Sequence, residues 1–121
     1  MVNKTTYTNT KNILIAQDSY HVALPIVLSG TANTTIEAGS PLTGNITARD
    51  TAFTASTADA VGILLHDVVL DANGKGNGTL VIAGCVDLLK LSSTVQGNIT
   101  TALADDGQAL DRIIFVKGSA I

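Results

Sequence analysis

Apolar residues fall along this chain in short bursts set apart by small and polar residues, rather than at the three-and-four spacing of long amphipathic helices. Ile13-Leu14-Ile15 is followed, past a polar break, by Val22-Ala23-Leu24-Pro25-Ile26-Val27-Leu28, in which Pro25 predicts a sheet edge or a bulge because it cannot donate to a ladder. Ile36 to Thr47 carries a turn and a short strand, with Gly39 free in its backbone dihedrals and Pro41 fixed in one. Ala48 to Ala60 is small and polar around Phe53, its one large residue, and reads as a surface loop. Val61 to Leu70 reads as a buried strand interrupted by Gly62. Asp71 to Gly78 reads as a flexible turn, and Thr79 to Val86 as the returning strand of a hairpin with a loose tip.

The texture changes after Val86. Ser93 and Gln96 have capping-box spacing, which predicts a short helix starting there or, because Gly97 weakens that first turn, starting near Asn98. Ile99, Ala102 and Leu103 then share one face and should lie against the sheet, with the helix ending before Gly107. Arg112 to Val116 supplies a last strand. The pattern therefore predicts one mainly β domain over residues 13–121 with a single short C-terminal helix. Ahead of it, residues 1–12 form a polar N-terminal arm rich in Thr and Asn, with little to bury. Thr5, Thr6, Tyr7 and Thr8 give that arm β propensity, so it is expected to be mobile alone and able to add a strand to a partner's sheet edge.

Composition limits the core. The 121 residues fit one domain, and 45% are apolar while only 3% are aromatic, so Val, Ile, Leu and Ala must fill the interior. Such a core hides little area per residue, and self-association is a natural source of further burial. Leu88, Leu89 and Leu91 form an apolar cluster that stands out as a candidate subunit contact. The net charge of −3, with scattered Lys and Arg, offers no basic stripe for nucleic acid. No charged start runs into an apolar segment and no apolar run is long enough to span a bilayer, so the expectation is a soluble protein without the usual export signal. Asn-X-Thr sequons at Asn3, Asn33, Asn45, Asn77 and Asn98 then reflect Thr and Asn abundance.

Candidate chemistry is thin. Cys85 lies in an apolar run and reads as a buried small hydrophobe, and a lone cysteine allows no intrachain disulfide. Gly74-Lys75-Gly76-Asn77-Gly78 lacks the spacing, the following Ser or Thr and the helix of a phosphate loop. Asp71, Asn73 and Asn77 lack the acidic closing ligand of a calcium loop. With two histidines and one cysteine there is no zinc spacing. His21, His66, Asp67, Cys85 and Asp87 are the polar candidates for a nucleophile and base, and His66-Asp67 at a strand end suits a satisfied edge pair better than catalysis, so no enzyme and no cofactor are expected. Glu37 to Leu42 also looks like the turn of biotinyl or lipoyl carrier domains, with Lys75 as the exposed tip lysine, although the flanking residues that modifying enzymes read are missing.

The order of Ala38-Gly39-Ser40-Pro41-Leu42, Val61 to Val68, Gly78 to Val86, a short helix and Ile113 to Val116 resembles the head-decoration, or capsid cement, proteins of tailed bacteriophages, over roughly residues 13–117. The base domains of some phage head fibres are similar in style. The resemblance implies a small β-barrel or tulip-like domain that binds the major capsid protein as a homotrimer at threefold or quasi-threefold positions. It places the protein on the outer surface of the virion, made in the host cytoplasm, with no nucleic-acid, membrane or small-molecule partner. The composition of the arm, not the resemblance, makes Thr5, Thr6, Tyr7 and Thr8 the candidates for adding a strand to a coat-protein edge.

Overall fold

The computed structural model describes residues 13–14, 21–106 and 110–117, so the expected arm lies outside the described residues. The domain is mainly β, as its pattern of short apolar bursts predicts. Its strands are β1 (Val22–Ser29), β2 (Thr35–Ile36), β3 (Pro41–Thr43), β4 (Thr54–Ala55), β5 (Gly62–Leu64), β6 (Val68–Val69), β7 (Lys75–Asp87) and β8 (Ile113–Val116). One turn of 3-10 helix, Leu88–Lys90, and a 14-residue helix, α1 (Ser93–Asp106), separate β7 from β8.

The main sheet runs β1-β7-β5-β3-β4, antiparallel throughout, with β8 added parallel to the second half of β7. β2 and β6 form a separate two-stranded ribbon. The sheet curls toward a barrel but the ladder does not close. Its far ends meet at a single parallel bridge between Leu28 and Phe53, where the Phe53 N–H donates to Val27 C=O at 2.8 Å and Ser29 N–H donates to Phe53 C=O at 2.9 Å. The Phe53 ring behind that bridge is fully buried. Gly44 lies directly against it: a Cβ there would stand 2.7 Å from Cε2 of the ring.

Residues expected to form one loop, Ala48 to Ala60, thus contain the seam of the sheet and the short strand β4. The expected single strand over Val61 to Leu70 is two. β5 ends at Leu64, and the chain turns at Leu65–Asp67, where Asp67 Oδ1 accepts from Ala38 N–H at 2.7 Å, before resuming as β6 beside β2. The expected loose tip is the opposite of loose. β7 begins at Lys75, and the turn before it is only Asp71–Gly74. Gly76 and Gly78 look like turn residues in the sequence, yet they are packing residues. A Cβ on Gly78 would stand 2.9 Å from Leu28 Cδ1, and one on Gly76 2.8 Å from Val68 Cγ1.

Both faces of the central strands are buried. Ile63 pairs with Val81 and faces one apolar cluster with Ile13, Val86, Val95, Ile99 and Leu110; Leu64 pairs with Leu80 and faces a second with Leu28, Leu42, Phe53 and Leu70. Burial on both sides explains why β5 reads as an unbroken apolar run rather than an alternation. The register of β1 against β7 shifts between Val22 and Ala23, leaving Ile82 as an extra residue in β7. That bulge reverses the alternation, so that Val81 before it and Val86 after it face the same cluster. Pro25 sits exposed on the edge strand β1, where its missing N–H costs no ladder bond.

α1 takes the earlier of the two expected starts and passes straight through Gly97, which is exposed with no side chain nearby. Ser92, not Ser93, caps it: Ser92 Oγ accepts from Val95 N–H at 3.2 Å, while the Gln96 amide donates to Leu91 C=O instead of completing a capping box. Val95, Ile99 and Ala102 are buried, and Leu103 lies on the shoulder at 39% exposure rather than on the packed face.

Replacing Phe53 by Ala removes the ring that fills the seam and leaves Gly44 facing a void, so Phe53→Ala is expected to lower unfolding free energy by about 3–5 kcal/mol in a urea titration. Ser92→Ala, which removes only a cap, should cost about 1 kcal/mol in the same measurement.

Candidate interaction surface

Among the described residues three aspartates, Asp67, Asp71 and Asp87, hold backbone N–H groups of the protein itself. Asp67 holds Ala38 N–H. Asp87 is buried at 6% exposure, and its Oδ1 accepts from Leu89 N–H at 3.0 Å, capping the 3-10 turn. Asp71 Oδ1 accepts from Asn73 N–H at 2.8 Å and Lys75 N–H at 3.0 Å, which closes the turn into β7. The Lys75 backbone N–H, then that of Asn73, and the nearby Lys75 ammonium hold the Asp71 carboxyl below its usual value despite a small opposing desolvation. Gly74 completes this turn in a left-handed conformation, φ 73°, with its Cα pressed against the Gly30 carbonyl so that no side chain fits.

Lys75 does not sit at a tip. It pairs with Ser29 in the ladder, and its Nζ donates to Ser29 Oγ at 3.2 Å. Cys85 is half-buried on β7, beside Ile114 of β8, rather than fully buried as expected. His21 is exposed and His66 half-buried. No group of three His, Cys, Asp or Glu residues among the described residues is placed to hold a metal ion, and no described helix is long and apolar enough to cross a membrane. An open depression of about 190 Å³ between β3, β4 and α1 is lined by Ser40, Pro41, Ala55, Ser56, Thr57 and Asn98, none of them charged.

The leucine cluster divides three ways. Leu91 is core, 5% exposed, packed with Val95 over the backbone of Gly39, whose φ of 88° marks the turn before β3. It is therefore no surface contact. Leu88 is half-buried and packs on the same cluster. Leu89 alone points to solvent, at 64% exposure, and it does so from a rigid support: Asp87 caps its N–H, Leu91 N–H donates to Leu88 C=O at 3.1 Å, and Lys90 Nζ donates to Leu14 C=O at 2.9 Å. Thr5, Thr6, Tyr7 and Thr8 lie outside the described residues.

Three other exposed apolar residues escaped the sequence reading: Val69 at 71%, Ile114 at 62% and Val27 at 43%. Ile114 sits inside Ile113-Ile114-Phe115-Val116, where every residue is apolar, so hydropathy could not distinguish the outward position. No protein-family model matches this chain, and no curated protein matches it.

The Asp71 turn yields a pH prediction. A carboxyl whose folded value is depressed contributes stability above its unfolded value near pH 4, and loses that contribution as pH falls through the lower folded value. The wild-type protein should therefore lose more melting temperature between pH 5 and pH 2 than Asp71→Asn does, a difference readable by circular dichroism.

Proposed function

We propose that this protein is a structural decoration protein of a tailed-phage head, bound as a homotrimer to the outside of the shell over the major capsid protein and stabilising the expanded state. The reading rests on the order of its turn, strands, helix and last strand. It is supported by a domain in which Asp67, Asp71 and Asp87 fix turns and a cap while a hydrogen-bonded turn presents Leu89 to solvent.

The action is mechanical. A shell filled with DNA fails where neighbouring coat subunits part, and a trimer that spans several of them makes their contacts break together. Each contact can be modest, because three linked sites multiply their effect through effective concentration. In this reading Leu89 lies in the subunit contact, and the arm bearing Thr5, Thr6, Tyr7 and Thr8 adds a strand to a coat edge by backbone hydrogen bonds with little sequence demand.

Light scattering of the purified protein, with intact mass on the same sample, should give three unmodified chains. A stable monomer, or a mass increase on Lys75, would overturn the reading. Leu89→Asp should shift the trimer toward monomer with unchanged far-ultraviolet circular dichroism, and deletion of residues 2–12 should weaken binding to expanded heads at least tenfold.

A further inference from the structure

The edges of β1 and of the added strand β8 are treated differently. The edge of β1 is closed along most of its length. Pro25 has no N–H to offer, and its C=O accepts from Arg49 Nη1 at 3.0 Å, while Phe53 engages Val27 C=O and Ser29 N–H. Arg49 reaches that carbonyl from a left-handed backbone, φ 53°, a conformation unfavourable for a residue with a side chain. Closing an edge by proline, charge and a covering segment is how sheets avoid pairing with other chains.

Among the described residues the edge of β8 has neither a proline nor a covering segment. β8 pairs with β7 along one side, and Gly84 N–H donates to Arg112 C=O at 3.1 Å. Alternation along the strand then turns the N–H and C=O groups of Ile113 and Phe115 outward. No described strand pairs with that side, and Ile114 stands exposed in the middle of it. Arg112 and Lys117 flank the strand, and Lys90 lies on the turn that follows Asp87, the ladder partner of Val116. Against these three cations stand Asp111, which is exposed, and Asp87, which is buried and bonded to Leu89 N–H. In a protein of net charge −3 this is a local reversal of sign.

The root of the arm is at the same end. Ile13 C=O accepts from Asp87 N–H at 2.9 Å, and Leu14 bridges Val86, so residues 1–12 join the domain where β7 finishes and β8 finishes beside it. Fully extended, that many residues reach on the order of 40 Å.

We propose that this end of the sheet is the face turned toward the shell, and that the open edge of β8 takes an extended coat-protein strand flanked by acidic residues. The inference rests on the decoration reading and deepens it, naming the edge of the domain that receives a coat-protein strand. Backbone pairing at Ile113 and Phe115 supplies the attraction common to any strand, and Arg112, Lys90 and Lys117 select for acidic flanks.

The test uses expanded heads, stripped of this protein, from the phage that encodes it. Ile114→Asp combined with Lys117→Glu should weaken binding at least tenfold with unchanged solution mass and melting temperature, while Val69→Asp on β6 should bind like wild type. Because the double variant could be misfolded, hydrogen exchange on the wild-type complex provides a second readout: the Ile113 and Phe115 amides should gain protection on binding. Wild-type protein that binds while these amides stay unprotected, or a folded double variant that binds equally well, would overturn the inference alone. Wild-type protein that does not bind the heads would remove the decoration reading and this inference together.

Discussion

The fold depends on one junction, the bridge at which Phe53 ties the far end of the curled sheet to β1. A chain with so few aromatics has little choice about where its largest apolar volume goes, and here the ring and the backbone of the same residue act together. The backbone bonds hold the two sheet ends at strand spacing, while the ring fills the space that the curl encloses and rests on Gly44. Either alone would leave a gap: unpaired backbone groups at the edge of β1, or a cavity among Leu28, Leu42 and Leu64.

From that junction the remaining architecture follows through β7, the longest strand, which pairs with β1 and β5 in its first half and with β8 in its second. Its bulge at Ile82 lets one strand serve both halves without turning its apolar residues outward. The polar side chains are used to fix the places where the chain changes direction: Asp67 at the break between β5 and β6, Asp71 at the entry to β7, Asp87 at its exit, and Ser92 at the start of α1. Among the described residues no buried side-chain nitrogen or oxygen lacks a hydrogen-bond partner. Three carboxylates fixed at turns leave those turns little freedom, and exposed aliphatic side chains stand out from the surface at Val69, Leu89 and Ile114.

Local signals carried much of this. Pro25 announced an edge strand, Gly39-Ser40-Pro41 a turn into a strand, and Ile99 with Ala102 a helix face, because each rests on backbone geometry or short-range periodicity. What stayed hidden depends on residues distant in sequence. Gly76 and Gly78 have the composition of a flexible tip, and only the presence of Leu28, Leu64 and Val68 above them makes them strand. Phe53 was legible as an anchor but not as a seam, since a bridge to Leu28 has no local signature. Gly97 weighed against a helix start on propensity, and tertiary burial of Val95 and Ile99 outweighed it. At the candidate surface, the Leu88 to Leu91 run marked the right turn, but which leucine faces out depended on the Asp87 cap and on the packing of Leu91 over Gly39.

The division of the interior into two apolar clusters, one on each side of β5 and β7, bears on how the molecule yields under load. The helix-side cluster and the Phe53-side cluster take alternate residues from the shared strands β5 and β7, so those two backbones are the mechanical link between them. Strain applied through β8 and the root of the arm enters the helix-side cluster first and must cross the β7 backbone before it reaches the Phe53 seam. The domain is built in series, with the helix-side cluster ahead of the seam that keeps the sheet fastened.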